Sequence, residues 1–106
     1  MLATFTLRLT RSVSKFLLPD IRALIPAESI QFFSNELDEE WHYTLLCVRN
    51  DNNCSLAVSA LLIWRQLKRI HKLVFSTPLL HKDVSNSSPA ELFTLLKIPG
   101  AVLYLS

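Results

Sequence analysis

A single glycine, Gly100, in 106 residues limits this chain more than any other feature of its sequence. Glycine is the residue that enters left-handed backbone at no steric cost and lets a main chain approach a ligand closely. A Walker loop, a dinucleotide-binding fingerprint, a nucleophile elbow and a glycine-rich RNA-binding loop each need several glycines close together. None can be built here, so those phosphate cradles and hydrolase elbows are excluded. Turns must come from Asn, Asp, Ser and Pro instead, and residues 50–53 (Asn-Asp-Asn-Asn) are the strongest such signal.

The length suits one domain spanning residues 1–106. Half of the residues are apolar and 19% are charged, which supports a packed core rather than disorder. The net charge of +2, from 11 basic and 9 acidic residues, implies no particular partner. Cys47 and Cys54 are too few for a disulfide scaffold and are spaced C-x6-C, so we expect two buried, reduced thiols in an intracellular protein. One disulfide closing the Asn-rich turn is the alternative. No run reaches the roughly 18 apolar residues that cross a bilayer.

The N-terminal segment admits two readings. Phe5, Leu7 and Leu9 alternate with Thr4, Thr6, Arg8 and Thr10, the period of a half-buried strand. The same acid-free stretch, with Arg8, Arg11 and Lys15 among hydroxyl residues, has the composition of a mitochondrial targeting peptide. We favour the strand. Residues 19–25 read as a short helical turn between prolines. A helix is then expected from about residue 27, because Ile30, Phe33, Leu37 and Trp41 recur at spacings of 3, 4 and 4. Residues 42–48 read as a strand and residues 55–71 as the clearest helix, with the stripe Leu56, Ala60, Ile63, Leu67 and Ile70 facing the core. A strand over 73–76, a loop over 77–86, a Ser-capped helix from Pro89 to about Lys97 and a closing strand over 101–105 complete the chain.

This order predicts an α/β or α+β fold: a small single-domain sandwich with a mixed sheet of about four strands and three to four helices. The continuous apolar strands suggest a sheet covered on both faces. The alternative is an all-α bundle.

No arrangement of residues here is specific to catalysis. His42, His71 and His81 lack the close pairing of zinc ligands. Cys47 sits in an apolar run that raises a thiol pKa, whereas Cys54 at a helix start is the better reactive thiol. No metal and no cofactor is expected, and we read the chain as a non-enzyme. The leading expectation is an adaptor or small subunit, intracellular and cytoplasmic, that binds a larger protein or itself through an apolar patch flanked by charge. Phe32, Leu79 and Leu80 are the candidate apolar contacts. Arg65, Lys68, Arg69 and Lys72 form the candidate basic face, and Glu36, Asp38, Glu39 and Glu40 the acidic patch. The alternatives are nucleic-acid binding on the same basic face or a mitochondrial accessory role.

Overall fold

The computed structural model of the chain describes residues 3–35 and 37–106. The elements run β1 (Thr4–Leu9), α1 (Arg11–Leu24), a 3-10 turn (Ala27–Ser29), β2 (Ile30–Ser34), β3 (Tyr43–Val48), α2 (Asp51–Gln66), β4 (Leu73–Thr77), β5 (Leu80–Asp83), α3 (Pro89–Leu96) and β6 (Val102–Leu105). The six strands form one mixed sheet in the order β2-β3-β1-β6-β4-β5. Among the described residues only β1 and β6 pair in parallel; every other neighbour is antiparallel. The fold is therefore a small single-domain α/β structure with two more strands than expected, and the all-α alternative is excluded.

Alternation along the strands decides where the helices lie. Phe5, Leu7 and Leu9 of β1 are buried, and their register partners Leu45 and Cys47 on β3 and Leu103 and Leu105 on β6 are buried with them. Leu73 and Phe75 of β4 continue the row. This face joins Val13, Leu17 and Ile21 of α1, Ala57 and Leu61 of α2, and Leu92 and Leu96 of α3 in one core. The residues between, including Arg8, Thr44, Val74 and Tyr104, point to the other face and are only half-buried. The expectation of a sheet covered on both faces is thus corrected: helices cover one face. A largely antiparallel sheet can leave its second face to solvent.

Local chemistry accounts for most element ends. Thr10 caps α1 through its hydroxyl, which accepts from the Val13 N–H at 3.3 Å. The Asn50 side chain caps α2 at 2.7 Å from the Asn53 N–H, while Asn53 Nδ2 donates to the Val48 carbonyl at 2.9 Å. Ser88 caps α3, with Pro89 in its first turn. Gly100 has φ +78, the left-handed conformation that turns α3 into β6.

Four expectations fail. Pro19 lies inside α1 rather than at the start of a short turn. The bond it removes is to the carbonyl of Lys15, on the solvent side of the helix, where water can replace it. The helix expected from residue 27 is absent: Ile30–Ser34 is an edge strand paired with β3. Most of β2 is exposed, so burial imposes no alternation and the helical spacing is coincidental. Residues 80–83, read as loop, form the opposite edge, β5. Finally, α2 begins at Asp51 and stops at Gln66, five residues short of the expected end.

Candidate functional site

The early end of α2 rearranges the candidate basic face. Lys68 takes a left-handed φ of 64 that carries the chain off the helix axis. Arg65 turns to the loop before α3, where its Nη1 donates to the Ser85 and Ser87 carbonyls at 3.2 and 2.8 Å. Arg69 lies over the Phe16 ring at 5.2 Å. Lys72 lines a depression on the open sheet face together with Trp41, His81 and Tyr104. The four cations therefore do not form one helical stripe.

The acidic patch is divided as well. Glu36 lies outside the described residues. Asp38 is committed to its own loop: its Oδ1 accepts from the N–H groups of Glu40 and Trp41 at 3.0 and 2.8 Å, and its Oδ2 lies 3.6 Å from Arg8. The Trp41 N–H, aided by the Glu40 N–H, Arg8 and His42, holds the Asp38 carboxyl below the usual carboxylate range against a partial desolvation. The loop is thereby fastened over the open sheet face, with the Trp41 ring edge-on to Tyr104 at 5.0 Å. Glu39 and Glu40 are exposed.

The three candidate apolar contacts do not share a surface. Phe32 is on β2 and Leu80 on β5, the two opposite edges of the sheet, about 24 Å apart at the usual strand spacing. Phe32 is partly covered, stacked on Tyr43 at 5.5 Å and beneath the Arg22 guanidinium at 4.9 Å. Leu79, 97% exposed, projects from the β4–β5 turn.

A different apolar surface is present, on residues assigned to the core by their spacing. Ile63 and Leu67 are 53% and 57% exposed, one turn apart at the end of α2. The buried side of that helix is Cys54, Ala57, Val58, Ala60 and Leu61, so Ala60 of the expected stripe, and Ile70 beyond the helix, are in the core while Ile63 and Leu67 are not. Both sets are apolar and both have helical spacing, so periodicity alone did not distinguish them. The exposed pair sits in a rigid frame. Trp64 Nε1 donates to Asp20 Oδ2 at 2.7 Å, joining α2 to α1, and its ring packs against Phe16 at 5.1 Å. Lys68 and Arg69 follow immediately and supply positive charge beside the patch.

Both cysteines are free and buried, which excludes the disulfide alternative. Burial pushes the Cys47 thiol up to about 12, with the neighbouring Cys54 adding to it. Cys54 is also raised, chiefly by burial, and the nearby Lys97 only partly offsets this. Two buried thiols were expected and are found; at Cys54, the better candidate for a reactive thiol, burial outweighs the helix start that favours the thiolate. Among the described residues no three His, Cys, Asp or Glu side chains group as a metal site, and no helix is long and apolar enough to cross a membrane. No family model, curated protein or solved structure matches this chain.

Proposed function

We propose that this chain is a non-catalytic interaction domain, an adaptor or small subunit, that docks a larger protein on the outward face of α2. The observation that carries the reading is the pair Ile63, on α2, and Leu67, its C-terminal cap residue, both more than half exposed while the opposite side of the helix fills the core. Exposed apolar side chains held on a rigid element lose little conformational freedom on binding and release ordered water. Lys68 and Arg69 beside them favour a partner surface with an acidic rim, which speeds encounter and fixes register more than it adds affinity. An intracellular setting fits two reduced thiols. Nucleic-acid binding draws less support, because Arg65 is held by the Ser85 and Ser87 carbonyls and Arg69 lies over Phe16, so the cations do not form one stripe.

The test is affinity capture with the full chain against an Ile63→Asp, Leu67→Asp variant. Circular dichroism comes first, to establish that the variant folds; both side chains are outward, so a change within about 0.5 kcal/mol is expected. A partner retained by the parent chain and by Leu79→Asp, but lost by the double variant, supports docking on α2. A partner bound equally by all three refutes it.

A further inference from the structure

Two adjoining grooves open where α2 ends. The first, about 710 Å³, is lined by Arg65, Lys68, His71, Asn86 and Pro89 among others, and by no carboxylate. The second, about 780 Å³, shares His71, Ser85 and Asn86 with it. Two acids line only the second, and both are engaged: Asp83 accepts from the Ser85 N–H at 2.8 Å, and Glu91 accepts from the Ser87 hydroxyl at 2.8 Å and lies 3.7 Å from Lys82.

The charge in the first groove has no counterpart. Arg65 donates only to neutral carbonyls. Among the described residues, the ion pairs are Arg8 with Asp38, Lys82 with Glu91, and Lys97 with Asp51; none involves Arg65, Lys68 or His71. The two carbonyl bonds also hold the guanidinium in place, so it meets a ligand without first being ordered. A concave wall of one sign concentrates the field and draws anions into it.

We propose that this groove binds the phosphate group of a small phosphorylated molecule. With Nη1 spent on the two carbonyls, Arg65 keeps its Nη2 and Nε hydrogens, a pair able to donate to two phosphate oxygens at once. Lys68 supplies a mobile point charge at the rim, and His71 and the Asn86 amide supply further donors. The cavity is larger than a single phosphate needs, leaving space for the rest of the ligand. Ile63 and Leu67 of the docking face do not line this groove; Lys68 borders both, so the Ile63→Asp, Leu67→Asp variant is the one that tells the two proposals apart.

The experiment is an amide NMR titration of the full chain with pyrophosphate and, at matched ionic strength, with citrate. The expected result is a saturable response to pyrophosphate centred on His71, Ser85 and Asn86, with a Kd of about 1 mM or tighter. A Lys68→Ala, His71→Ala variant removes two exposed side chains that make no hydrogen bond or ion pair among the described residues, and its own spectrum reports whether it is intact. It should bind at least about tenfold more weakly, the effect of losing one charge-assisted contact. The Ile63→Asp, Leu67→Asp variant should bind pyrophosphate as the parent does. No saturation by about 10 mM, equal binding of citrate, or undiminished binding by the Lys68/His71 variant would each overturn the proposal.

Discussion

Leu103→Ala tests the sheet order directly. Leu103 is 1% exposed and lies on β6, between Leu7 of β1 and Phe75 of β4, both fully buried on the helix-covered face. Truncation removes the transfer free energy of the lost carbons and leaves a cavity, together about 2.7–5.0 kcal/mol at comparable sites. The cost depends on how far the surroundings can collapse. Here both flanking side chains stand on strands fixed by main-chain hydrogen bonds, so the upper part of the range applies, about 4 kcal/mol. A domain of this size has about 5–15 kcal/mol in total, and Tm should fall by roughly 15–30 °C. Val102 precedes Leu103 on the same strand but faces the open side and is half-buried. Val102→Ala should cost about 1 kcal/mol or less. Urea unfolding followed by circular dichroism and tryptophan fluorescence gives both values, with the denaturant slope unchanged if only stability has moved. A loss below about 1 kcal/mol for Leu103→Ala, or an equal loss for Val102→Ala, refutes the assignment of faces and the central place of β6.

Three further outcomes are expected. Neither cysteine should react with iodoacetamide until the chain unfolds, because burial raises both thiols. For Cys47 the unfolded thiol titrates near 9.0 and the folded one near about 12, so between these values the native state holds a proton that the unfolded state has lost. Its contribution to stability is complete below pH 9.0 and falls as pH rises toward about 12, by up to about 1.4 kcal/mol per pH unit. Urea midpoints should drop with rising pH across that window, and less so for Cys47→Ala. Gly100→Ala places a Cβ at φ +78, 3.4 Å from Pro78 Cδ, and should cost about 1–2 kcal/mol from the backbone conformation alone. Thermal unfolding would show it, and a loss below about 0.5 kcal/mol would mean that the turn relaxes.

The parts of the fold legible in the sequence were those in which one face is buried and the other is not. Thr4–Leu9 shows this alternation, and it outweighed the targeting-peptide reading of the same residues. Ser88 announced the start of α3 because its side chain replaces a main-chain acceptor, whereas Asn50 reads as part of a turn and the helix it caps begins four residues earlier than expected. Elements with little burial were missed: β2 and β5 are edges whose backbone is held by a neighbouring strand rather than by their own side chains. In α2 the obstacle was excess rather than lack of signal, since two apolar faces compete for one core. The groove was beyond reach in another way. Arg65 and Asn86 meet only because the chain reverses at Lys68, and a left-handed lysine leaves no mark in composition or spacing.

The position of β6 governs how this molecule is assembled. Its four residues are among the last in the sequence, yet they pair on one side with β1, near the beginning, and on the other with β4. Until they arrive, β2-β3-β1 and β4-β5 are separate ribbons, each with an open inner edge and apolar side chains that have no shared core. Closing the sheet means pairing Thr6–Leu9 with Val102–Leu105, and contacts so distant in sequence slow the search for the native state. Folding during synthesis should therefore stall at two partial sheets and finish only when residues 102–105 are free to enter. In that interval the edges of β1 and β4 are exposed templates for pairing with other chains, a period in which the protein is most open to aggregation or to capture by a chaperone.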